Sequence, residues 1–137
     1  SDAVNLASRL EGLTKIYGAN ILVSEMTHNA LADEFASRRV DLVAVKGKEK
    51  PVGIYEIIDG EPNQCRVLKE KTTASFNEGV SYYYAQEFEK ASSCFRRVLE
   101  LNVGDQAANR YLDRCQILLR EGWDPATWDG IERLQIK

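Results

Sequence analysis

Apolar residues recur at helical spacing from the start of the chain. Ala3, Leu6, Ala7, Leu10, Leu13 and Tyr17 follow one another at steps of one to four residues and share one side of a 3.6-residue period. Asp2 stands where an N-cap is expected, and Gly18 stands where the helix should stop. The period then changes. Ile21, Leu22 and Val23, bounded by Asn20 and Ser24, read as a short strand. Ser24 or Thr27 can cap a second helix, expected to run to about Phe35 and to bury Met26, Ala30, Leu31 and Phe35. In VDLVAVKGKEKPVGIYEIID, two strand-like runs flank Gly47-Lys48-Glu49-Lys50-Pro51, which predicts a β-hairpin.

After Asp59 the pattern shifts again. GEPNQCRVLKEKTT has no clear period and is rich in charge, Gly, Pro and Asn, so residues 60–73 are expected to form a connector. Residues 74–121 read as helices throughout, and 122–137 as a tail. FNEGVSYYYAQEFEKASSCFRRVLELNVGD resembles a tetratricopeptide repeat: Gly79 stands where two helices approach closely, and Tyr82, Ala91 and Phe95 take later pattern positions. Ser75 and Val103 depart from the aromatic and proline of that pattern. A further helix follows, with Asp105 as cap, Ala108, Leu112, Cys115 and Leu119 as its stripe, and Gly122 as its end. Trp123 and Trp128 are expected to dock in a groove between helices.

Composition excludes several classes of function. The 137 residues are 44% hydrophobic with a formal net charge of -3, an ordinary globular balance. No apolar run reaches the roughly 20 residues that span a bilayer, so the segment is expected to be soluble, and with its reduced thiols cytoplasmic, while membrane anchoring of a longer protein stays open. Mild acidity argues against a nucleic-acid surface. The cysteines, Cys65, Cys94 and Cys115, lack metal-ligand spacing and suit reduced thiols, the latter two buried in helical patterns. His28 has no nucleophile at a telling spacing and is expected at a solvated helix position. Phosphate-cradling glycine loops are absent from the sequence.

The remaining chemistry lies on the first helix. Asn5 and Arg9 are at i and i+4, so an amide and a guanidinium project from one side, followed on that side by Gly12. Alone, such a pair reads most simply as a solvated face. Its context is more specific: Val4-Asn5-Leu6-Ala7 with Arg9, the strand ILVSE, and Val45-Lys46-Gly47-Lys48 ending in Ile54-Tyr55-Glu56 occur together in order. Residues 2–58 thereby resemble the C-terminal part of the catalytic domain of class III adenylyl and guanylyl cyclases.

That resemblance implies an α+β fold. Residues 1–59 would form part of a ferredoxin-like cyclase sheet, as helix, strand, helix and β-hairpin, followed by the all-α tetratricopeptide-like segment. It implies a reaction in which the ribose 3′-hydroxyl of ATP, or of GTP, attacks the α-phosphorus and expels pyrophosphate. Asn5 would orient the ribose, Arg9 would hold the α-phosphate, and Lys46 would contact the triphosphate. The resemblance further implies Mg or Mn as cofactor, bound by aspartates that lie upstream of this helix in the family, so that the segment alone would be inactive. A homodimer is expected, because family sites form across two protomers. The competing expectation is a non-catalytic module, either a degenerate regulatory cyclase domain or a dimerisation and protein-binding surface on the helical extension, with Tyr82, Tyr83 and Tyr84 as candidates for that surface.

Overall fold

The computed structural model describes residues 2–31, 34–45 and 50–134, with backbone alone for 2–8, 45 and 134. Two compact units divide the chain: residues 1–66 together with 131–137, and residues 67–130. The fold is mixed α and β, as expected.

In the first unit, helix α1 (Asp2–Tyr17) leads to strand β1 (Leu22–Ser24), helix α2 (Glu25–Leu31) and strands β2 (Ser37–Val45) and β3 (Val52–Ile57), followed by a 3₁₀ turn at Ile58–Gly60. Leu10, Leu13 and Tyr17 are buried, as their spacing requires. Asp2 is the first helical residue rather than a cap preceding it. Gly18 leaves the helix with φ +62, a conformation in which a side chain would be strained. The hairpin is present, with β2 and β3 antiparallel and Ser37 opposite Ile57, Arg38 opposite Glu56 and Val43 opposite Val52. Its turn residues 46–49 lie outside the described residues.

The sheet has the order β1-β3-β2-β4, and its last strand was not expected from sequence. Strand β4 (Glu132–Leu134) comes from the segment read as a tail and pairs parallel to β2, Val43 opposite Glu132 and Val45 opposite Leu134. A short strand with charges at Glu132 and Arg133 has too little alternation to announce itself.

Helix α2 corrects a second expectation. Ser24 caps it, its hydroxyl accepting from the Thr27 amide at 3.3 Å. Met26, however, is 80% exposed, and Ala30 and Phe35 are exposed as well. A helical period tells which residues share a side, not which way that side faces. The side turned to the sheet carries His28, whose ring stacks on Tyr55 with centroids 3.9 Å apart and an interplanar angle of 8°. The His28 Nε2 also lies 2.9 Å from the Ser37 hydroxyl, so His28 is packed and hydrogen-bonded rather than merely solvated.

In the second unit, helices α4 (Phe88–Leu101) and α5 (Gln106–Glu121) follow helix α3 (Asn63–Tyr84). Helix α3 begins eleven residues before the expected position 74, so most of the expected connector is helical. Lys, Glu and Leu favour helix without needing an apolar stripe, which is why periodicity missed this stretch. Phe76, Tyr83, Phe88, Phe95 and Tyr111 form the core. Phe95 stacks on Tyr111 at 5.0 Å between centroids, and Phe76 meets both rings edge-on. Of the three tyrosines offered as a surface, Tyr83 is buried, while Tyr82 is half-buried with the Lys90 ammonium 5.6 Å from its ring centre.

Asp105 caps α5, its carboxylate accepting from the Ala108 amide at 3.1 Å. The buried line on α5 is Ala107, Ala108, Tyr111 and Cys115, rotated from the expected stripe so that Leu119 is exposed. Both tryptophans dock within this unit. Trp123 meets Phe88 at 4.6 Å and donates from Nε1 to the Gln86 side-chain oxygen at 2.9 Å, and Trp128 packs against Tyr83 and Phe88. Gln86 adopts φ +64 and its amide also donates to the Pro125 carbonyl. All three cysteines are free thiols, Cys94 and Cys115 buried and Cys65 exposed.

Two glycines give opposite predictions for one substitution. A Cβ at Gly79 would lie 2.8 Å from Phe95 Cζ and 3.1 Å from Cys94 Cβ, whereas one at Gly12 would meet nothing within 4 Å. Overpacking costs about 1–3 kcal/mol and the helix-propensity gain is about 1 kcal/mol. Urea denaturation should therefore show Gly79→Ala destabilised by up to about 2 kcal/mol and Gly12→Ala stabilised by up to about 1 kcal/mol.

Burial raises the Cys115 thiol from 9.0 to about 11, overriding smaller lowering effects from Ser92, Arg114 and Arg96. The unfolded thiol ionises at lower pH than the folded one. This contribution to stability is therefore complete below pH 9 and declines as pH rises through 11. Chemical denaturation across that window should show a shallower loss for Cys115→Ala than for the parent sequence, by up to one proton in the slope.

Candidate functional site

Two of the three candidate site residues sit on one element of the first unit. Helix α1 carries Asn5 and Arg9 one turn apart on one side of its backbone. Arg9 is half-buried, and its Nε is shielded from solvent without a hydrogen-bond partner among the described residues. Beside it the surface is open, since the space a Gly12 side chain would fill is vacant within 4 Å. A guanidinium next to open space can bind an anion through its planar fork of donors. The Asn5 side chain and all of Lys46 lie outside the described residues.

Under α1 lies a set of buried polar groups that sequence reasoning did not single out. Arg38 and Glu56 face each other across the hairpin and form an ion pair with both side chains fully buried. Between Arg39 and Asp41 the β2 register slips by one residue, a β-bulge. Without it, Asp41 would share the face of Arg39, because side chains alternate along a strand. With it, Asp41 sits opposite Ile54, on the face that also carries Glu56. Tyr17, at the last turn of α1, donates its hydroxyl to Asp41 Oδ2, and Asp41 Oδ1 accepts from the Leu42 amide at 2.9 Å. The signal was present: Arg38, Asp41 and Glu56 are charged residues inside apolar strand runs.

The opposite face of the sheet carries Tyr55 under His28, and Gly53 lies close to Arg39 and Glu25. A groove of about 460 Å³ runs along α1, β1 and the start of α2, lined by residues such as Leu10, Thr14, Ile21, Leu22 and Met26. It is mostly apolar, and Arg9 is not among its described lining residues. Among the described residues, no three His, Cys, Asp or Glu side chains gather where they could hold a metal ion. Among them too, no helix is long and apolar enough to cross a membrane.

No family model matches the chain, and no solved structure matches it. Curated proteins do. The chain is 44% identical over 117 residues to "Adenylate cyclase, terminal-differentiation specific" of Dictyostelium discoideum, covering 83% of this chain and 6% of that protein. It is 51% identical over 59 residues to "Adenylate cyclase" of Anabaena cylindrica, covering 41% of this chain and 12% of that protein. To "Adenylate cyclase 1" of Rhizobium meliloti it is 37% identical over 57 residues, 42% of this chain and 9% of that protein. The chain thus spans between 6 and 12% of the length of these relatives. The Dictyostelium alignment is longer than the first unit, so the similarity there extends into residues 67–130. The chain is homologous to part of proteins that, in an amoeba and in two bacteria, carry the name adenylate cyclase.

Proposed function

We propose that this chain is the C-terminal part of the catalytic domain of a class III nucleotide cyclase that converts ATP to cyclic AMP and pyrophosphate, followed by a tetratricopeptide-like extension. The observation that carries the reading is the similarity to a protein named adenylate cyclase that runs through both units. In this reading the first unit is the latter part of a ferredoxin-like sheet. Its helix α1 presents Asn5 to the ribose and Arg9 to the α-phosphate, and Lys46 contacts the triphosphate.

The demand on the protein is electrostatic. Negative charge accumulates on the phosphoryl oxygens as the 3′-hydroxyl attacks, and fixed cationic donors stabilise it most where water is excluded. A guanidinium suits Arg9, because its planar fork stays charged and can engage two oxygens at once. Mg or Mn, when bound, would neutralise phosphate charge. In this reading the carboxylates that would hold it lie upstream of this segment, and the segment alone would not turn over. A homodimer fits the same reading, with one protomer giving the carboxylates and its partner Asn5 and Arg9. GTP remains the alternative substrate.

A non-catalytic interaction module is the second reading, and one observation favours it: Leu101 and Val103 are strongly exposed between α4 and α5. The aromatic surface first considered for that role is not available as such, since Tyr83 packs beneath Trp128.

The test is Arg9→Ala in the full-length protein containing this chain. Losing one transition-state donor lowers kcat by about 100- to 1,000-fold, with the thermal midpoint unchanged because Arg9 is not part of the buried core. Cyclic AMP production at the unaltered rate would overturn the assignment.

A further inference from the structure

The buried Tyr17–Asp41 contact links helix α1 to strand β2. Helix α1 bears Asn5 and Arg9, and β2 is the strand that Lys46 follows in sequence. Tyr17 is 1% exposed and Asp41 is 0% exposed. A carboxylate enclosed to that degree costs folding energy that an apolar residue would not. What it offers in return is direction.

Leu10 and Leu13 also seat α1 against the core, and apolar packing has no preferred angle. Such a helix can slide or rotate against a sheet by the 1–2 Å that helices shift in conformational transitions. A hydrogen bond from the Tyr17 phenol to one carboxylate oxygen removes that freedom, because its strength falls steeply away from linearity. The carboxylate is itself held, since its other oxygen accepts from the Leu42 amide. The bulge at Arg39/Asp41 is what brings Asp41 to this face. Arg9 lies eight residues before Tyr17 on the same helix, about 12 Å along a rigid rod, so a shift at Tyr17 is transmitted to it.

We propose that Asp41 and Tyr17 are positioning residues: their hydrogen bond sets the axial placement of α1, and thereby of Arg9, against β2. The inference rests on the cyclase reading above, and its own consequence is distinct. Misplacing a reacting group by about 1 Å can cost up to about 100-fold in rate. Loss of one hydrogen bond that leaves the hydrophobic seat intact should cost about tenfold on that scale.

The experiment is a double-mutant cycle in the full-length protein, with Tyr17→Phe, Arg9→Ala and their combination assayed for kcat and KM with ATP. Tyr17→Phe should lower kcat about tenfold with KM changed less than twofold. In the Arg9→Ala background the same substitution should lower the residual turnover less than twofold, because the group being positioned is gone. An equal tenfold loss in both backgrounds would mean that Tyr17 only supports the fold, and would overturn the inference. So would wild-type kcat in Tyr17→Phe when Arg9→Ala is inactive. If Arg9→Ala is itself fully active, the cyclase reading fails and this inference with it. Should Tyr17→Phe fold poorly, Asp41→Asn and Asp41→Leu serve instead. Asparagine keeps an acceptor for the phenol and should stay within threefold of the parent kcat, whereas leucine should lose about tenfold. Equal activity of these two variants would overturn the proposal.

Discussion

One extra residue in β2 decides what the first unit can bury. Val40 and Asp41 are consecutive, yet both are buried, which a regular strand cannot achieve on one face. The bulge satisfies both: Val40 adds to the apolar core and Asp41 turns toward α1. Everything C-terminal to that point in β2 is shifted by one position relative to a regular pairing, including Val43, which lies beneath the core and opposite both Val52 and Glu132. The Tyr17–Asp41 contact follows from this local irregularity, and β4 pairs with the part of β2 beyond it.

The two units solve the problem of buried polarity differently. In the first, ionic and phenolic groups are matched inside the core, Arg38 with Glu56 and Tyr17 with Asp41. Such pairs contribute little net stability compared with apolar residues of the same volume, but they penalise any register that separates them. In the second, the core is aromatic, Lys69, Thr72, Ser92 and Asp105 are buried beside it, and a further polar contact lies at its margin. Gln86, in the left-handed region, receives the Trp123 indole and donates to Pro125, so a single amide holds the segment that carries both tryptophans. Left-handed backbone in a residue with a side chain costs about 1–2 kcal/mol, a sum that two hydrogen bonds and two seated indoles can offset.

Much of this was legible beforehand, for identifiable reasons. The Leu10, Leu13 and Tyr17 part of the α1 stripe, the pairing of the hairpin strands, the Asp105 cap, the Gly18 and Gly122 stops and the buried Cys94 and Cys115 all rest on local rules, and the structure shows each of them. Failures arose where local rules are silent. Periodicity could not say that Met26 faces outward, could not detect a helix from Asn63 built on propensity without a stripe, and could not foresee that β4 pairs with a strand far back in the chain. Of the candidate site, Arg9 was singled out from spacing and resemblance, whereas Asp41 shows in the sequence only as a charge inside an apolar run. The face it takes depends on a register shift that composition does not mark.

The parallel pairing of β4 with β2 also carries a consequence for biosynthesis. Val43 and Glu132 are separated by about 90 residues, among them the whole of the second unit. At translation rates of about 5–20 residues per second, β2 waits on the order of ten seconds for its neighbour. During that interval its outer edge presents unpaired amides and carbonyls to the cell, a template for pairing with any other extended chain. The helical unit, whose contacts are nearer in sequence, can fold while the sheet is still incomplete. Safe production of this protein therefore depends on how well that open edge is shielded while ribosomes are still at work on the same message.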